Sequence, residues 1–146
     1  YLGITIGDMA SGLISQVLKS RKKALGIFLT LTVISITMYF TVAPISEFIF
    51  YCVIGFVGFA TGYWAVFMST AAELFGTNIR STVTTTAPNF VRGSLIFVSW
   101  AVSVFETYMS TVGSAIVVGI LVLSVAWLAL WNLEETFHKD LNYVEE

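Results

Sequence analysis

The chain has 146 residues, 57% of them hydrophobic and 11% charged, with a mean hydropathy of +0.87 and a formal net charge of -2. A soluble domain carries roughly a quarter charged residues, so this composition excludes an ordinary water-soluble globule. The near-neutral balance excludes an electrostatically driven nucleic-acid binder, and the lone Cys52 excludes an intrachain disulfide.

A membrane-crossing helix needs ~20 mostly apolar residues, because only a helix satisfies its backbone groups internally in hydrocarbon. Five stretches meet or approach that length, at about 1–18, 24–42, 47–74, 81–106 and 113–133, the first read as cut short. A polar tail follows at 134–146. The chain starts at Tyr1, without an initiator methionine or leader, already inside an apolar run. It is therefore expected to be the C-terminal piece of a longer polytopic protein.

The first stretch carries Gly3, Gly7, Ser11 and Ser15 at four-residue spacing, a small-residue stripe that predicts close helix packing. The basic cluster Lys19, Arg21, Lys22 and Lys23 follows, with Arg80 in the third connection and Lys139 in the tail. The second and fourth connections hold no Lys or Arg. Because cytoplasmic loops retain basic residues, the first and third connections and the C-terminus are expected on the cytoplasmic side of a cell (inner) membrane. The second stretch shows no stripe and is expected at the lipid-facing periphery. The third carries Gly55, Gly58, Gly62, Ala65, Ser69 and Ala72 on one face, and its middle clusters Tyr63, Trp64, Phe67 and Met68. Those aromatics suit either core packing or a wall that stacks on a ring-bearing solute.

The fourth stretch places Thr82, Thr85, Asn89, Arg92, Ser99, Ser103 and Glu106 on one face, interrupted by Ile96. Such a stripe is costly against lipid and is expected to face protein or a watery cavity. Pro88, mid-helix, permits a kink. The fifth stretch is apolar all round, and Trp127 and Trp131 near its end read as interfacial anchors.

Asp8 and Arg92 are the charges well inside the stretches. Each lies eleven or twelve residues from the nearest basic loop residue, roughly 16–18 Å deep. Two readings stand: a structural intramembrane ion pair, or participation in transport, with Asp8 as proton acceptor and Arg92 as a fixed cation. Arginine does not deprotonate in practice, so a proton carrier among the two is Asp8. Asn89, Thr85, Tyr63 and Trp64 are the candidates for a substrate path. No catalytic constellation, metal-ligand spacing or cofactor motif occurs, so neither an enzyme nor a bound cofactor is expected.

The run Gly12-Leu13-Ile14-Ser15-Gln16 followed by Ser20-Arg21-Lys22 is similar to the second copy of the G-x-x-x-D-R-x-G-R-K loop of the major facilitator superfamily. Glu73-Leu74-Phe75-Gly76-Thr77-Asn78-Ile79-Arg80 resembles that superfamily's E-x-F-P-x-x-x-R signature, and Glu135-Thr136 its P-E-T-K-G tail. Gln16 stands in place of the loop Asp, Gly76 in place of the signature Pro, and Glu134 in place of the tail Pro. The resemblance, to the sugar-porter-like branch of solute:proton symporters, implies an all-α membrane fold in which this chain supplies helices eight to twelve of twelve. It further implies alternating access, a partner N-terminal half, protons and a small polar solute as cargo, and charge bracing at Glu73, Arg80 and Arg21. A non-transporting membrane receptor with the same fold is the alternative.

Overall fold

The computed structural model describes residues 1–139, which are all-helical. Helices α1 Leu2–Val17, α2 Arg21–Thr41, α3 Glu47–Ala60, α4 Trp64–Leu74, α5 Thr77–Glu106 and α6 Thr111–Asn132 follow in order, with a 3-10 turn at Ala43–Ile45. The part of the expected tail at 140–146 lies outside the described residues. By length and apolarity α2, α3 with α4, α5 and α6 are each able to cross a membrane. α1, 16 residues and about 24 Å long, is shorter.

α1 and α2 are joined by a tight turn. Lys19 adopts a left-handed φ of 48°. Its N–H donates to Gln16 O (3.2 Å) and that of Ser20 to Ser15 O (3.2 Å), which closes α1 on its own last carbonyls. Ser20 then opens α2, its Oγ accepting from Lys23 N at 3.1 Å. This double capping fixes Arg21 as the first residue of α2.

The small-residue stripe of α1 faces α3. Gly7, Ser11 and Ser15 are buried, and a Cβ on Gly3 would strike Gly55 O while one on Gly7 would strike Phe59 O. A Cβ on Gly62 would lie 2.6 Å from Gly7 Cα and Ile4 O. These are backbone obstacles, so the two helices touch main chain to main chain.

α2 is the hub, in contact with α1, α3, α4 and α6. It buries Ala24, Phe28, Thr32 and Ser35 on one face, and the Phe28 ring packs 5.8 Å from that of Phe59. The expectation of a stripeless peripheral helix fails because hydroxyls occur on both faces. Thr32 and Ser35 inside, and Thr30 and Thr37 outside, all donate to carbonyls of their own helix, so polarity gives no sidedness.

The stretch 47–74, read as one helix, is two. α3 ends at Ala60, and Thr61, Gly62 and Tyr63 leave the helical path before α4 restarts at Trp64. Gly62 sits in the break, where its contact with α1 leaves no room for a side chain. α5, by contrast, runs unbroken through Pro88, where the missing N–H removes only the bond to Thr84 O.

Candidate functional site

The break between α3 and α4 is repaired by neighbouring helices. Asp8, about 14 Å along α1 from its Val17 end, receives the Ala65 N–H on Oδ1 at 3.0 Å, so a carboxylate from α1 caps the first turn of α4. The Thr32 hydroxyl lies 2.8 Å from Phe28 O and 3.1 Å from Ala60 O, sharing one proton between its own helix and the last carbonyl of α3. Thr61 Oγ1 lies 3.0 Å from both Val57 O and Gly58 O. An unwound turn between apolar helices is tolerated where protein satisfies its backbone in this way.

Arg92 is elsewhere. α5 packs on α4 and α6 and makes no contact with α1, and among the described residues Asp8 and Arg92 do not pair with each other. Asp8 is committed to α4, and Arg92 lies exposed on α5.

α5 is the least covered helix, with none of its residues fully buried. Thr82, Thr85, Asn89, Arg92, Ser99, Ser103 and Glu106 are all exposed. Val83, Ala87, Val98, Ala101 and Phe105, on the opposite side, are half-buried. The apolar Phe90, Leu95, Phe97 and Trp100 are exposed as well, so α5 is thinly covered by α4 and α6 and its polar stripe is uncovered along its whole length. Several of these groups mute their own polarity: Thr85 donates to Ser81 O (2.8 Å), Asn89 to Thr85 O (3.2 Å) and Ser103 to Ser99 O (3.1 Å). Asn89, Phe90, Gly93 and Phe97 border an open concavity of about 440 Å³ on this helix.

The four substrate-path candidates do not share one wall. Thr85 and Asn89 lie on the outward side of α5. Tyr63 turns into an apolar cavity of about 330 Å³ lined from α2, α4 and α6, to which α5 contributes no residue. Trp64 is partly exposed, its ring 5.4 Å from that of Phe67.

At the end of the bundle where α2 begins, charged groups converge. The Arg21 guanidinium donates to Glu73 through Nη2 (2.8 Å) and Nε (3.1 Å), and through Nη1 to Ser15 Oγ (2.9 Å). Its Cζ lies 5.1 Å from the centre of the Phe137 ring. Thr136, 1% exposed, donates its hydroxyl to Glu73 Oε2 at 2.7 Å. Glu135 caps α2, accepting from the Ser20 hydroxyl and from Arg21 N (2.8 Å). α1, α2, α4 and the tail are thus tied at one point. Partial burial pushes the Glu135 carboxyl up, but the bonds from Ser20 Oγ and from the N–H groups of Arg21, Phe137 and Thr136 outweigh it and hold the carboxyl below its ordinary range.

Of the three bracing candidates, Arg21 and Glu73 pair with each other. Arg80 instead reaches the end of α4, Nε donating to Ala72 O at 2.8 Å and Nη2 to Phe75 O at 3.3 Å. Sequence reasoning left Ser15, Ser20 and Thr136 out of the bracing set. The helix-start signal of a serine ahead of the basic run was readable at Ser20, whereas nothing in the spacing ties Thr136 to Glu73, 63 residues away.

No family model, curated protein or solved structure matches the chain.

Proposed function

We propose that the chain is the C-terminal part of a secondary active transporter of the major facilitator type, which carries a small polar solute across a membrane by alternating access and couples that movement to protons. The observation that carries this reading is the uncovered polar face of α5. In hydrocarbon seven such side chains along one helix are expensive, so the face needs water or further protein. A solute path closed on its far side by an N-terminal half of the same transporter meets that need.

The remaining parts take roles in one cycle. The Arg21–Glu73 pair with its Thr136 and Glu135 attachments braces the cytoplasmic end, where it holds the helices together in one state and releases them in the other. The break at Thr61–Tyr63 supplies the bend. Asp8 is the proton site: as a carboxylate it caps α4 with a charge-assisted bond, and protonation removes the charge and weakens that cap. A proton and a conformational change are thereby linked at one atom, and the ligand-loaded and empty states differ in which contacts they favour.

Uptake of a panel of polar solutes into vesicles containing the full-length protein tests the reading. Gradient-dependent accumulation of at least one solute is expected, and Asp8→Asn, which keeps an acceptor oxygen for Ala65 N–H but carries no exchangeable proton of the right kind, is expected to abolish accumulation while sparing exchange. Absence of gradient-dependent flux across the panel would reject transport in favour of a receptor, and full uphill uptake by Asp8→Asn would reject the proton role.

A further inference from the structure

A groove follows the contact between α2 and α6. Where α2 begins it opens as a cleft of about 330 Å³ bordered by Lys22, Gly26, Trp127, Leu130 and Trp131. Toward the other end it reopens as a cleft of about 360 Å³ between Val33 and Thr37 of α2 and Ile116 and Leu123 of α6. Positions 22, 26, 33 and 37 of α2, and 116, 123, 127 and 131 of α6, recur at spacings that keep each set on one helix face, so the two clefts lie in line along the α2–α6 pair. The floor of this furrow stays open because position 26 is glycine: a Cβ there would meet only Leu130 Cδ2, at 3.5 Å.

The mouth of the furrow is chemically distinct from its length. Lys22 Nζ donates to Trp131 O (2.7 Å) and Leu133 O (2.9 Å), which fixes the ammonium over the end of α6. An ammonium has three donors, so one donor and the whole charge remain at the opening. Neither salt bridge found among the described residues involves Lys22. Among the described residues, the acids that follow α6 are engaged elsewhere, Glu134 with Lys139 and Glu135 with the start of α2. Trp131, 81% exposed, and Trp127 flank the cation, as indoles do at a lipid–water boundary.

We propose that this furrow binds one acidic phospholipid, its phosphate at Lys22 Nζ and an acyl chain laid over Gly26 and Val33 between α2 and α6. A fixed cation at the boundary selects an anionic headgroup over a zwitterionic one, and the apolar furrow selects a lipid over a soluble phosphate. The site stands apart from the polar face of α5, so it holds whether or not the protein transports.

Quenching of tryptophan fluorescence by brominated lipid tests it on the full-length protein reconstituted in phosphatidylcholine vesicles, with every tryptophan other than Trp127 and Trp131 replaced by phenylalanine, Trp64 and Trp100 among them. Dibrominated phosphatidylglycerol is expected to associate about five-fold more strongly than dibrominated phosphatidylcholine. Lys22→Gln, which keeps donors for the α6 carbonyls but no charge, should bring the ratio close to one, and Gly26→Leu should lower association of both lipids by filling the floor. Soluble glycerol phosphate should not compete. Equal association of the two lipids in the unsubstituted chain, a ratio unchanged in Lys22→Gln, association unchanged in Gly26→Leu, or displacement by glycerol phosphate would each overturn the proposal.

Discussion

Arg21 reaches Ser15, Glu73 and the Phe137 ring from a single position, and it does so because Lys19 and Ser20 close one helix and open the next within two residues. The two-nitrogen contact with Glu73 is stronger and more directional than a lysine contact would be. Thr136 is the buried member, and its hydroxyl donates to a charged acceptor. Thr136→Val is expected to cost about 1.5–3 kcal/mol, the range of a hydrogen bond to a charged group, read as a lowered thermal midpoint in detergent. Glu135 adds a pH signature. Its folded carboxyl is held low, so its stabilising contribution is fully present above the ordinary carboxylate value of 4.5 and is lost as pH falls through the folded value below it. Proteolytic protection of the tail should therefore hold steady from neutral pH to about 5 and fall only under more acid conditions. Glu135→Gln should flatten that profile, and an unchanged profile would remove Glu135 from the cap. The basic cluster and Glu73 were legible in the sequence, but the pairing was not, because a contact across 52 residues leaves no periodic trace.

The helices show where local pattern suffices and where it stops. The stripe of α1 was readable, since spacing of four on a helix specifies one face whatever lies opposite, and Gly7, Ser11 and Ser15 are buried as that spacing implies. The break at Thr61–Tyr63 was not readable, because Gly62 fits the same stripe as Gly55 and Gly58, and α1 approaches all three. The inner face of α2 was hidden by hydroxyls that satisfy themselves on both sides of the helix. Gly7→Ala places a methyl against Phe59 O and within 3.0 Å of Gly62 Cα, obstacles that move only if α1 and α3 separate. It is expected to cost about 2 kcal/mol or more, the cost of overpacking. Gly12→Ala, with nothing within 4 Å of the added methyl, should leave the unfolding midpoint unchanged or raised. Equal effects of the two substitutions would mean that the close approach is absent.

The molecule as a whole is a set of packed helices with one face left open. α2 gathers α1, α3, α4 and α6 around itself, whereas α5 touches only α4 and α6 and buries none of its residues fully. The polar stripe of α5 was legible in the spacing. Its outward direction was not, since periodicity defines a face without saying what that face meets. The same gap explains the candidate site: Tyr63 and Asn89 both looked central along their own helices, yet they point to different spaces. On the proposed function, the open side of α5 is the wall of an aqueous path. The most direct measurement is single-cysteine scanning of α5 in the full-length protein in vesicles, in a background with Cys52 and every other cysteine replaced by serine, with a membrane-impermeant thiol reagent. Thr85→Cys, Asn89→Cys, Ser99→Cys and Ser103→Cys are expected to react and to be protected by a transported solute, while Ala87→Cys, Val98→Cys and Ala101→Cys stay unlabelled. Polar-face positions that remain unreactive from both sides of the membrane, or that react no faster than the packed face, would contradict the account.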